Sequence, residues 1–235
     1  MRMKKISLLI LSIFILSVLT FITEVFGTPG ETILAEIQKR YEGTNDLEAS
    51  FLQEYIGKVM KRPQRGEGKV FFKKKGMMRW DYRIPNQKLI SDGYTLWFYQ
   101  AEENQVFVSD ISKVIKEKTP LAFLAGEGDL SQDFKLNHFN ESISKKEENF
   151  VLELTSKQPD AALSKLTLTV DKKTYYVIQA DVFDGLGNVT RTRFIDIKTN
   201  VGLSNSFFHF TIPPGAEVLR MQEPSPPPGK GVQSK

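Results

Sequence analysis

Gly76–Tyr99 reads GMMRWDYRIPNQKLISDGYTLWFY and contains both tryptophans of the chain, Trp80 and Trp97. Met78, Trp80 and Tyr82 share one face by the period-2 rule of a β-strand, and Met77, Arg79 and Asp81 share the other. A break falls at Pro85-Asn86. Lys88–Ser91 then leads to the turn dipeptide Asp92-Gly93, and Tyr94, Leu96 and Phe98 leave it opposite Thr95, Trp97 and Tyr99. The stretch predicts a three-stranded antiparallel meander with large side chains on both faces. A half-buried sheet normally turns one polar face to water. The second apolar face must therefore cover something besides the ordinary core: a helix, a partner or a ligand.

Outward from the meander, strand patterns dominate. Leu47, Ala49 and Phe51 alternate with Glu48, Ser50 and Leu52, and the run extends through Tyr55 toward Met60. Lys61–Gly68 reads as a loop, and Val70–Lys74 as the next strand. Gln105–Ser109, Phe134–Phe139, Phe150–Thr155, Leu166–Val170, Tyr175–Phe183 and Val189–Ile197 follow, with an aromatic segment at Phe207–Phe210. Two apolar helical pieces interrupt them. Thr28-Pro29-Gly30-Glu31 is a capping box, followed by Ile33, Leu34, Ile37 and Tyr41 at helical spacing and a stop at Gly43. Thr119-Pro120 opens a second helix, through Leu121, Phe123 and Leu124 to Gly126. A short helix this apolar must be buried or act as a cover. One domain built on a large curved sheet is the expected architecture.

The chain has 235 residues, a net charge of +4 and no cysteine. Disulfides, thiolate zinc sites and cysteine nucleophiles are thereby excluded. Arg2, Lys4 and Lys5 against Glu24 place half of the net charge in the first 27 residues, and the remainder is too mild and too evenly spread to argue for nucleic acid. Those 27 residues carry a basic start, an apolar run from Ile6 to Ile22 and small residues before Thr28, the three regions of a signal peptide. A membrane anchor is the competing reading of the apolar run. An exported soluble protein is expected, and the absence of cysteine leaves no site for N-terminal lipidation. Residues 28–222 would form the folded part, with a Pro-rich tail over 223–235.

No catalytic or metal-binding pattern emerges. His138 and His209 each sit in a strand pattern without a carboxylate cluster at ligand spacing. There is no Gly-x-Ser-x-Gly, phosphate-binding loop or His-Glu-x-x-His. No enzyme, cofactor or metal is expected.

Met78-Arg79-Trp80, Pro85 and Ser91-Asp92-Gly93-x-x-Leu96-Trp97-x-Tyr99 together resemble the signature of the outer-membrane lipoprotein carrier family, LolA. Phe51-x-Gln53, Thr119-Pro120-Leu121 with Leu124, and Phe208-x-Phe210-x-x-Pro213-x-Gly215-x-x-Val218 fit as well, so the resemblance runs from about residue 30 to 220. It implies an unclosed antiparallel β-barrel of about eleven strands, lidded by helices, that carries lipoprotein acyl chains across the periplasm. An inner-membrane ABC transporter would load such a carrier, and an outer-membrane receptor would unload it; a monomer is expected. The implied cavity is lined by Ile37, Phe51, Met78, Trp80, Tyr82, Leu96 and Phe98, under a lid of Ile33, Leu34, Leu121, Phe123 and Leu124.

Aligned without gaps on Gly68 and Trp80, Lys74-Lys75 stands where the family usually has Arg-Pro, an arginine thought to hold the lid closed. Lysine keeps the charge and loses the planar fork. Lys74 is the latch candidate, with Lys73 and Arg79 as alternatives. A receptor of the related outer-membrane kind needs a lipidation cysteine, which is absent. The remaining alternative is a periplasmic lipid- or lipopeptide-binding sensor on the same scaffold.

Overall fold

The computed structural model describes residues 28–112, 123, 128–143, 148–158 and 162–220. The leader, the Pro-rich tail and most of the predicted helix 119–126, including Leu121 and Leu124, lie outside them. The chain enters through helix α1 (Pro29–Glu42). Its capping box forms as the sequence predicts: the Thr28 hydroxyl accepts from the Glu31 N–H at 3.4 Å, and the Glu31 carboxylate accepts from the Thr28 N–H at 2.8 Å. Leu34, Ile37 and Tyr41 form the buried stripe. Gly43 ends the helix in a right-handed conformation, without the left-handed turn that glycine often supplies there.

Strands follow: β1 (Asp46–Ile56), β2 (Gln64–Lys73), β3 (Met77–Ile84), β4 (Gln87–Asp92), β5 (Thr95–Gln100) and β6 (Gln105–Asp110). A one-turn helix α2 (Leu130–Asp133), capped by Asp129, leads into β7 (Phe134–Ile143). Then come β8 (Glu148–Ser156), β9 (Lys165–Asp171), β10 (Val177–Phe183), β11 (Val189–Thr199), a 3-10 turn (Asn205–Phe208) and β12 (Glu217–Arg220). They form one twelve-stranded sheet in the order β12-β6-β5-β4-β3-β2-β1-β11-β10-β9-β8-β7. All neighbours are antiparallel except β12 and β6, which run parallel. The two edge strands do not pair with each other, so the barrel is unclosed.

Two glycines explain local geometry. Gly68 lies where β2 crosses β3 most closely: a Cβ there would sit 2.1 Å from the Asp81 carbonyl oxygen. Gly66 and Gly68 therefore belong to a strand, and the predicted loop Lys61–Gly68 is shorter, because close backbone approach and turn formation leave the same glycine signal in a sequence. Gly93 turns β4 into β5 at φ +96°, its N–H held by the Ser91 hydroxyl, while the Asp92 carboxylate accepts the N–H groups of Tyr94 and Thr95 at 2.9 and 2.8 Å. That is the physical content of the Ser-Asp-Gly motif.

The main core lies inside the curve. It joins α1 to the inner faces of β1, β2, β3 and β5, to α2 and to β7–β11. The outer face of β2–β6 is also covered, by the chain's own C-terminal segment. Phe208 is fully buried against Phe71 and Met77, and Phe210 and Ala216 pack over Ile90, Trp97 and Val106. This strap answers the question raised by the two apolar faces of the meander. Its entry is pinned by the buried Asp46 carboxylate, which accepts the N–H groups of Val201, Gly202 and Leu203 at 2.7, 3.1 and 3.1 Å. The predicted strand-like alternation at Phe207–Phe210 gives way to the 3-10 turn, so His209 and Phe210 both contact the Trp97 ring.

Candidate functional site

The inner face of β3 carries Met78, Trp80 and Tyr82, as the alternation predicts, and they join one cluster with Phe51 from β1. The rings interlock edge to face: Phe51–Trp80 and Phe51–Tyr82 centroids are 4.8 Å apart, and Phe72 meets Trp80 at 5.8 Å. Trp80 is 2% exposed, and its indole N–H is buried without an acceptor among the described residues. Such an orphan typically costs about 1–3 kcal/mol and calls for a reason.

The two ends of the sheet differ. At the end reached by the C-terminus of α1, the interior is plugged. Ile37 is fully buried, the Tyr41 ring meets Phe123 at a tilt with centroids 4.5 Å apart, and the Val177 N–H donates to the Tyr41 hydroxyl at 3.2 Å. Burial pushes the Tyr41 phenol well above its ordinary range. Leu34 is buried and Ile33 is half-buried against the same core. The β2–β3 turn, with Lys74, lies at this end, its N–H donating to Asn45 O at 3.1 Å. Lys73 and Arg79 are engaged with the strap: Lys73 Nζ donates to Leu203 O, and Arg79 donates to Phe207 O at 3.0 Å while pairing with Asp81 at 2.8 Å.

At the opposite end the interior opens into a groove of about 450 Å³, lined by Gln53, Tyr55, Gln64, Arg65, Gly66, Tyr82, Pro85, Gln87, Leu89 and Phe98. Its floor is apolar, Tyr82, Leu89 and Phe98, and its rim is polar. Trp80, Leu89 and Phe98 are register partners across β3, β4 and β5, so the floor continues the buried Trp80 face outward. The Tyr82 hydroxyl donates to Gln53 Oε1 at 3.1 Å, and Gln53 in turn donates to Thr192 at 3.1 Å. Burial pushes the Tyr82 pKa up to about 12.

Beside the groove, a hollow of about 410 Å³ is walled by Leu52, Glu54, Glu67, Ile84, Arg191 and Arg193, with Gln53, Arg65 and Gly66 shared between the two. Ion pairs cross its walls, Arg65–Glu54 at 3.1 Å among them. A wall of paired charges suits water better than an apolar ligand.

The residues expected to line a cavity thus divide. Ile37, Phe51, Met78, Trp80 and Leu96 are packed in the core, and Tyr82 and Phe98 reach the groove. Leu89 and Tyr55 were not predicted for the site. For Leu89 the signal was present, since it sits directly across from Trp80 once β3 and β4 are paired. His138 and His209 are both exposed.

Comparison with known proteins identifies relatives for this arrangement. The family model described as outer membrane lipoprotein carrier protein LolA matches residues 42–211. An outer-membrane lipoprotein carrier protein of Dechloromonas aromatica (strain RCB) is 30% identical over 179 residues, 76% of this chain and 83% of that one. The one from Legionella pneumophila (strain Lens) is 28% identical over 211 residues, 88% of this chain and 98% of its own length. Among solved structures, an uncharacterized conserved protein from Thermus thermophilus shares the fold, with a TM-score of 0.53 at 14% identity, over 82% of this chain and 99% of that one.

Proposed function

The chain belongs to the outer membrane lipoprotein carrier (LolA) family, and from that premise we propose that it is a periplasmic carrier that holds lipoprotein acyl chains in the groove floored by Tyr82, Leu89 and Phe98. The observation that carries this reading is the groove's construction: an apolar floor continuous with the buried Trp80 face, open at one end of the sheet and plugged at the other. Burying an acyl chain gains about 0.8 kcal/mol per methylene, so a lipoprotein does not cross water unaided. A groove of about 450 Å³ falls in the lower part of the ~300–1,000 Å³ range of small-molecule sites. Cargo with several chains therefore requires the packing beyond Tyr82 to open, and the Trp80 indole N–H, buried without an acceptor among the described residues, marks a place where closure leaves a polar group unsatisfied.

In this reading an inner-membrane ABC transporter loads the carrier and an outer-membrane receptor unloads it. Ile33, Leu34 and Phe123 belong to the plug that moves; Leu121 and Leu124, expected to share the lid, lie outside the described residues. Lys74, at the plugged end, is its latch. No covalent chemistry is required.

The test is transfer of a labelled lipoprotein from inner-membrane vesicles into a soluble complex with the purified protein. Wild type should release it. Leu89→Glu places a charge on the groove floor and should cut release at least tenfold, on the order of the cost of an unpaired buried charge. Lys74→Leu should load normally but change how long cargo is retained. Undiminished transfer by Leu89→Glu would remove the groove from the mechanism.

A further inference from the structure

Hairpin turns β1–β2, β3–β4, β5–β6 and β10–β11 all stand at the end where the groove opens; the β5–β6 turn carries the exposed Glu102 and Glu103, and the β1–β2 and β10–β11 tips are the two that are joined and hold out apolar side chains. The β1–β2 loop, residues 57–63, connects Ile56 to Gln64, and Tyr55 and Gln64 on either side of it line the groove. It reads Gly-Lys-Val-Met-Lys-Arg-Pro and contains three basic residues and no acid. Val59 is 93% exposed and Met60 40%. The β10–β11 turn lies beside it, tied by the Lys58 N–H donating to Asn188 Oδ1 at 3.0 Å. That turn holds out Leu186, 76% exposed. Asp184 is the acid of this turn, and its carboxylate is spent within it, accepting the N–H groups of Leu186 and Asn188 at 2.9 and 2.8 Å. Glu54, behind the loop, is paired with Arg65.

Scattered exposed apolar side chains need no explanation. Three on two joined tips, with Lys58, Lys61 and Arg62 among them and an apolar groove opening behind, form a different pattern. Apolar tips that enter the headgroup region, ringed by cations that meet anionic lipid, are the recipe for interfacial binding. We propose that these tips rest on the surface of an anionic phospholipid bilayer and hold the mouth of the groove at the membrane while cargo is handed over. The inference rests on the carrier reading of the groove, and it assigns the tips a separate role that can fail separately. An acidic protein surface would be met by the same charges, but charge alone does not account for Val59 and Leu186 standing 93% and 76% exposed at the tips.

The protein, processed and purified from the periplasm, is tested by flotation with phosphatidylcholine vesicles with and without phosphatidylglycerol. Binding is expected to the anionic vesicles only. It should weaken as salt shortens the screening length from about 10 Å at ~0.1 M to about 3 Å at ~1 M. Val59→Asp with Leu186→Asp, and separately Lys58→Glu, Lys61→Glu and Arg62→Glu together, should each reduce the bound fraction by about tenfold. Uptake of a fluorescent fatty-acid analogue should stay unchanged in both variants, because none of these residues lines the groove. Equal wild-type binding to neutral and anionic vesicles, or binding indifferent to both sets of substitutions, overturns the proposal. So does a wild type that ignores vesicles while the variants lose lipoprotein transfer from native membranes, which would give the tips to a protein partner. A wild type that takes up no fatty-acid analogue sinks the carrier reading instead, whatever the vesicles show.

Discussion

Tyr82 stands at the boundary between packed core and open groove, and its two halves serve the two sides. The ring stacks on Trp80 and meets Phe51 edge-on, while the hydroxyl reaches Gln53 at the rim. Burial raises its pKa from 10 to about 12. In the unfolded chain the phenol ionises near 10, whereas in the folded protein it stays protonated until about 12. The stability this contributes is fully present below pH ~10 and is lost as the pH rises toward ~12. Urea unfolding of wild type and Tyr82→Phe at pH ~8 and ~11 should therefore differ: wild type should lose about 1.4 kcal/mol more than the variant between the two, the value of one pKa unit. Equal losses would mean that the phenol is solvated in the folded state. Tyr41, whose shift has the same direction, is present in both proteins and cancels.

Among the elements, the C-terminal strap has the least regular structure and the largest single anchor. Phe208 is fully buried between Phe71, Met77 and Phe207. Lys73, Arg79 and Asp46 hold the backbone around it. Phe208→Ala should destabilise the fold by about 3–5 kcal/mol, the usual cost of deleting a buried phenyl group. It should also shift Trp97 emission to the red, since His209 and Phe210 cover that ring from the same segment. A denaturation midpoint and emission unchanged from wild type would show that the strap is not integral. The strap was only partly legible. Phe207–Phe210 announced burial, but nothing in the local pattern told that they would cover the outer face of β2–β6. That placement depends on a carboxylate some 155 residues away, Asp46, receiving three backbone N–H groups. Loop boundaries failed for a related reason at Gly66 and Gly68, where a neighbouring strand, not a turn, requires glycine. The parallel strand β12 was missed because four exposed or half-exposed residues have no periodicity to read.

At the scale of the whole molecule, the unclosed sheet has a plugged end and an open end, with Trp80 between them. Its emission distinguishes how deep cargo goes. In Trp97→Phe, where Trp80 is the single indole, a short single-chain fatty acid should fill the groove and leave the emission nearly unchanged. A lipoprotein with several chains should shift it, because the packing around Phe51, Phe72 and Trp80 must part. A silent Trp80 with lipoprotein demonstrably bound would place the cargo elsewhere on the sheet.

The sequence by itself determined the class of fold, the capped helix, the meander with its Ser-Asp-Gly turn, and the inner face of β3. These are local facts: period-2 alternation, turn chemistry and capping act within a few residues. The family signature in the meander was legible for the same reason. Tertiary structure alone decided which of the inner residues are core and which are groove, because that depends on where along the curved sheet the plug stops, and alternation is blind to position along a strand. Phe51, Trp80 and Tyr82 look alike in the sequence; only the pairing of β1, β3, β4 and β5 sets Tyr82 beside Leu89 and Phe98 at the opening. It alone also brought residues 57–63 and 184–188 together at that opening, since strand order, and not spacing along the chain, makes β1 the neighbour of both β2 and β11.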